Sequence, residues 1–200
     1  MAQFELTLLD WAEANKGARK YVVFVDKCWP AFPKEFGFEP CYVNSRLASR
    51  GIPVACEVDI YGALSEYIGT CVTGEPVTLL DINNSVPADM YKKSIKGKFP
   101  GKYELEDTFM GFHCGNTPFC RLSKASKPGV KYQIIQHRIL EKGKDPDFTR
   151  GTLEGDIDAG KITFFRLQSG ADTQLHAYVA QGEILPVATN SFGGIGIFEI

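Results

Sequence analysis

Two hundred residues, 44% hydrophobic and 23% charged with a net charge of −2, describe an ordinary globular chain able to bury roughly 70% of its unfolded surface. The weak charge gives no general attraction to nucleic acid or to an anionic membrane. No apolar run approaches the ~20 residues of a membrane span, and Met1-Ala-Gln-Phe-Glu-Leu6 lacks the basic start and long apolar stretch of a signal peptide, so a cytoplasmic protein without membrane or nucleic-acid partners is expected.

In chain order, Phe4, Leu6, Leu8, Leu9, Trp11 and Ala12 are spaced for a helix that Asn15-Lys-Gly17 stops, and Tyr21-Val-Val-Phe-Val25 reads as a buried strand. A start on a helix with no earlier strand suggests that the first strands of the sheet precede residue 1. Cys28-Trp-Pro-Ala-Phe-Pro33 follows as a proline-stiffened loop that puts Trp29 near the mouth of any site at this sheet edge. Its ring suits the apolar face of a sugar; covering a strand end would explain it equally. A helical turn ends at Gly37, a helix capped by Asn44 or Ser45 follows, and Arg46 and Arg50 read as solvated or paired with surface acids.

Ile52-Pro-Val-Ala-Cys56 is an apolar run that ends on Glu57 and Asp59, and Val77-Thr-Leu-Leu80 is a second that ends on Asp81. Ala63, Leu64, Tyr67, Ile68 and Cys71 recur between them at helical spacing. The unit reads as strand, helix, strand; a right-handed crossover would make the strands parallel and bring Glu57 and Asp81 to one edge, where open α/β sheets bind ligands. Two carboxylates at one edge repel unless a cation or a shared proton compensates them, which leaves a hard-metal site or an acid/base couple. Acids that merely end strands and cap the next helix are the plainer alternative. N-capping suffices for Asp59.

Beyond Asn84, Lys92, Lys93, Lys96, Lys98 and Lys102 among Gly97, Pro100 and Gly101 read as a mobile surface connection, residues 91–103, between a body spanning 1–90 and another spanning 104–200. Gly111-Phe-His-Cys-Gly-Asn-Thr-Pro118 follows, where His113 lies among glycines that permit close backbone approach. The rest consists of short runs rich in Phe, Ile, Thr, Tyr and Val, expected as an antiparallel sandwich or small barrel with a hairpin turn at Asp158-Ala-Gly160. His137 and His176 fall in predicted strands and need no function. The six cysteines carry no Cys-x-x-Cys pair and are expected as reduced thiols. The run Ile195-Gly-Ile-Phe-Glu-Ile200 stops in mid-pattern, which suggests a domain continuing beyond it.

Glu57-x-Asp59, a glycine-containing helix, Thr73-Gly74 and an apolar strand ending in Asp81 together resemble the L-fucose isomerase family, related in architecture to L-arabinose isomerase. The resemblance is specific over about thirty residues, and its order of elements spans most of the chain. It implies the middle and C-terminal parts of an aldose–ketose isomerase: the end of a parallel α/β domain followed by a β-barrel-like domain. It further implies that Glu57 and Asp81 hold a divalent metal and move a proton along an open-chain sugar. Oxygen donors suit Mn²⁺ or Mg²⁺ better than zinc. His113 and Trp29 would line the sugar pocket; His113 stands where L-arabinose isomerases carry a metal-site His and L-fucose isomerases a different polar residue. The family's late metal-binding His has no counterpart here, so the third ligand would come from outside this chain, within a homo-oligomer. A sugar-binding module that lost turnover, or a hydrolase using the two acids without metal, are the competing classes.

Overall fold

A computed structural model describes residues 1–131, 134–136, 147–191 and 193–200. Its first core forms where helix α1 (Ala2–Asn15) lays Leu8 against Val43 and Leu47 of α3 (Cys41–Ala48) and Val54 of strand β2 (Val54–Ala55). Strand β1 (Phe24–Val25) pairs with β2 in parallel, Phe24 opposite Val54 and Val25 opposite Ala55. Both strands are shorter than their apolar runs. Helix α2 (Ala31–Phe36) ends on Gly37, whose φ of 71° lies in the left-handed region that favours glycine. Helix α3 begins at Cys41, so Asn44 and Ser45 lie inside it instead of capping it. Both are buried because their side chains bond a loop from later in the chain: Asn44 Nδ2 donates to Asn116 Oδ1 at 3.2 Å and Ser45 Oγ to the Thr117 carbonyl at 2.6 Å.

Helix α4 (Ile60–Thr73) is capped by Asp59, which accepts from the Gly62 N–H at 2.8 Å, and ends at left-handed Gly74. Its buried face is Gly62, Ala63, Ser65, Glu66 and Thr70, while Leu64 and Cys71 of the expected stripe are exposed. The face is small because other chain segments press on it. A Cβ on Gly62 would stand 2.8 Å from Leu79 Cδ2, and one on Gly69 3.2 Å from Val77 Cγ1.

The run 77–80 therefore lies along α4 and is not a strand beside β2. Strand β3 (Asp81–Asn83) pairs antiparallel with β4 (Thr108–His113) in another sheet, which corrects the expected parallel crossover. The reason is local. The Val54 carbonyl of β2 already accepts from the Asn116 side-chain amide, so this backbone acceptor is satisfied without a further strand.

The larger sheet runs β3-β4-β11-β10-β9, where β9 is Gly160–Ser169, β10 Leu175–Ile184 and β11 Gly193–Glu199. Strands β5 (Gly129–Lys131), β6 (Ile134–Gln136), β7 (Asp147–Thr149) and β8 (Thr152–Asp156) complete the described set. Strand β8 branches from β11 in parallel and carries β5 antiparallel, while β6 and β7 pair with each other. The sheet is thus mainly antiparallel, and among the described residues its end strands β3 and β9 do not pair to close a barrel. Asp158–Gly160 joins strands that do not pair; the Ile157 N–H donates instead to the Ile195 carbonyl at 2.8 Å.

Leu153, Ile184 and Phe198 form one core of this sheet; Val86, Leu185 and Ile197 form another. Ile95 and Phe99 join the second. They lie in the stretch expected as a surface connection, which turns its lysines outward as expected but is anchored by these two side chains. His137 lies outside the described residues. No helix among the described residues is long and apolar enough to cross a membrane.

Candidate functional site

The tip of β2 bends through two consecutive left-handed residues, Glu57 at φ 57° and Val58 at φ 60°. A β-branched residue in this region is a true outlier, and such backbone costs of order 1–3 kcal/mol and clusters at functional sites. The Val58 N–H donates to the Asp26 carbonyl at 2.8 Å, tying the bend to the tip of β1, and Asp59 then starts α4. Glu57 is left exposed at this corner.

Asp81 reaches the same place by another route. As the first residue of β3 it lies opposite Phe112, so His113, the last residue of β4, is its near neighbour across the ladder. Glu57, Asp81, His113 and Trp29 all line one cavity of about 1610 Å³ between the strand tips, the 76–82 segment and the β9–β10 hairpin. The four residues thus share one cavity through a topology other than the expected parallel crossover.

His113 is 7% exposed. Burial lowers its basicity, and the charges of Asp81 and Glu57 act in the opposite direction. The Asn116 N–H donates to its Nδ1 at 3.3 Å, so in the neutral ring the proton is assigned to Nε2. That tautomer presents Nε2–H as a donor and suits a substrate oxygen better than a metal ion.

Three further acids stand near the site and were not singled out from the sequence. Asp26, at the tip of β1, is pushed up to about 6 by burial, against the pull of the Asn44 amide 2.7 Å away. Burial and the Asp26 charge raise Glu39 to about 7, and burial and Asp59 raise Glu66 to about 8. One oxygen of each lacks a hydrogen-bond partner among the described residues. The signal for Glu66 was available: it stands three residues after Ala63 and four before Thr70, on the buried stripe of α4.

Of the three cations that line the cavity, Arg121, Lys161 and Arg166, the two arginines are engaged in ion pairs. Arg166 of β9 forms a two-pronged pair with Asp59 at 2.7 and 3.0 Å, and Arg121 pairs with Glu75 at 3.2 Å. Arg46 and Arg50 both pair with Glu5, at 2.8 and 3.2 Å, and His176 bonds Asp172 at 3.0 Å, which accounts for all three without a site.

Glu57 and Asp81 are hard oxygen donors facing a common cavity, which fits a divalent cation in kind. Among the described residues no three His, Cys, Asp or Glu side chains group to hold a metal ion.

Residues 111–200 match the family described as L-fucose isomerase, C-terminal domain. The chain is similar to the sulfoquinovose isomerase of Clostridium sp. (strain MSTE9), 38% identical over 159 residues that cover 80% of this chain and 30% of that protein. It is also similar to the sulfoquinovose isomerase of Alkalicoccus urumqiensis, 25% identical over 171 residues covering 82% of this chain and 32% of that protein. A third, from Priestia megaterium, is 29% identical over 107 residues, covering 52% and 24%. The aligned part spans about a third of the length of the first two relatives. No solved structure is significantly similar.

Proposed function

We propose, from the match of residues 111–200 to the L-fucose isomerase C-terminal domain and the similarity to sulfoquinovose isomerases, that this chain is part of an enzyme interconverting an aldose and a ketose. The observation that carries the proposal is the meeting of Glu57, Asp81 and His113 on one cavity, from three segments that are distant in sequence.

The reaction moves one proton between adjacent carbons of an open-chain sugar while the neighbouring oxygens exchange carbonyl and hydroxyl character. A carboxylate within reach of C2 takes that proton as general base and returns it to C1 as general acid. Glu57, at its left-handed corner, and Asp81, in the β3–β4 ladder, would take this role. His113 donates Nε2–H to a sugar oxygen, and the half-buried Trp29 offers a face to the sugar's C–H surface. Glu57 and Asp81 would also be the chain's ligands to Mn²⁺ or Mg²⁺, whose bound charge polarises the carbonyl and offsets the negative charge that develops. The remaining ligand and part of the pocket come from residues beyond this chain, in a homo-oligomer of the full-length protein.

The substrate class that the relatives' names support is a hexose or a sulfonated hexose. Incubating the protein containing this chain with L-fucose, L-arabinose and sulfoquinovose, with and without Mn²⁺, tests the reading by ketose formation. Conversion abolished by EDTA supports it; conversion that survives EDTA contradicts the metal assignment. The second reading is a sugar-binding module without turnover. Binding of a sugar with no conversion would select that reading.

A further inference from the structure

Cys28 follows β1 by three residues and Cys56 comes directly after β2, its parallel partner, with Trp29 and Glu57 as the next residues. Their sulfurs are 3.0 Å apart, the one contact between two thiols in a chain with six. Both are largely buried from bulk solvent, 8% and 7% exposed, yet both line the cavity. A small oxidant that enters the cavity therefore meets them. Of the other four, Cys41 is buried, and Cys71, Cys114 and Cys120 are exposed without a thiol partner in contact.

The geometry points to a modification site: Cys28 and Cys56 are a dithiol that a hydroperoxide converts to a disulfide within the folded protein. A disulfide holds its sulfurs about 2.05 Å apart, so closure requires about 1 Å of approach. The backbone on either side is already fixed, by Asp26 N–H to the Ala55 carbonyl at 3.0 Å and Val58 N–H to the Asp26 carbonyl at 2.8 Å, so side-chain rotation must supply most of it.

The chemistry balances. One thiolate attacks a peroxide oxygen, breaks the O–O bond and becomes a sulfenic acid as water or an alcohol leaves. The second thiol then displaces that hydroxyl as water and forms the S–S bond. The two cysteines lose two electrons and two protons in all, and one equivalent of peroxide is reduced. The bond would lock the corner that sets Glu57 to the loop that sets Trp29, joining the redox state of the pair to the shape of the cavity.

The test does not depend on the isomerase reading. The intact protein is treated with hydrogen peroxide, denatured, alkylated and mapped by mass spectrometry. The expected result is loss of two of the six alkylatable thiols, a mass lower by two hydrogens, and a Cys28–Cys56 cross-linked peptide that dithiothreitol dissolves. Cys120→Ser should leave that peptide intact. Recovery of Cys28 and Cys56 as free thiols while Cys71 and Cys120 oxidise, or linkage of Cys28 to Cys41 in their place, would overturn the assignment.

Discussion

Arg166 grips Asp59 with both guanidinium nitrogens, at 2.7 and 3.0 Å, and so fastens the start of α4 to the β9 strand of the larger sheet. Asp59 does two things at once, since it also caps the helix through the Gly62 N–H. Burial pushes its carboxyl up, but the Arg166 contact and the Gly62 and Tyr61 N–H groups together hold it below the usual range. Asp59→Ala should cost about 2 kcal/mol, from the lost cap and a charged hydrogen bond. At 200 residues that corresponds to a fall of about 4–8 °C in Tm. Asp59→Asn, which keeps the cap acceptor, should fall between the two in a thermal melt; equal stability of all three would show that neither contact matters.

Asn116 explains why no third strand is needed beside β2. It is 2% exposed, its amide donates to the Val54 carbonyl, and its oxygen accepts from Asn44. Asn116→Ala leaves a buried acceptor and a buried donor unmatched, an expected loss of about 2–4 kcal/mol in urea unfolding. A loss under about 0.5 kcal/mol, the range of surface substitutions, would contradict this role.

Glu66, Glu39 and Asp26 give a pH dependence with a definite sign. Their folded values are raised, to about 8, 7 and 6, above the ordinary values of 4.5, 4.5 and 3.8. The stability they contribute is full below the unfolded values and is lost as pH rises through the folded ones. Tm should therefore decline from about pH 5 to pH 8, with Glu66 alone accounting for up to about 1.4 kcal/mol per pH unit in that window. Glu66→Gln should flatten the curve and exceed the wild type at pH 8. A parallel decline in the variant would show that Glu66 is not buried as a neutral acid.

Phe99 tests the anchoring of the lysine-rich stretch. At 3% exposure it packs beside Ile197 and Leu185, and Phe99→Ala should cost about 3–5 kcal/mol. A cost near zero would return the stretch to a free connection.

Much of the first 75 residues was legible, because one apolar stripe or run decides a helix or a buried strand: α1, β1, α2 and α4 all stand near their expected places. Pairing was not legible, since a strand's pattern states which faces are buried and not which neighbour buries them. Val77–Leu80 looks like a strand for β2, yet Asn116, 62 residues after Val54, already satisfies an acceptor there. Ile95 and Phe99 were hidden for a similar reason: two apolar residues among lysines carry no period, and only the distant Leu185 and Ile197 make them core. Glu57 does lie just past β2, as a charge that ends an apolar run suggests, whereas Asp81, expected at the end of a strand, begins β3. The left-handed bend at Glu57 and Val58 was not legible, because neither residue type favours it.

Glu57 and Asp81 are expected to act as ligands to one ion. Isothermal titration of Mn²⁺ into the wild type, Glu57→Gln and Asp81→Asn measures this without turnover. Removing even a group that only hydrogen-bonds a metal ligand typically costs about 10–100-fold in metal affinity, so each substitution is expected to weaken binding by at least about tenfold. Titrations of both variants that overlay the wild type would contradict it.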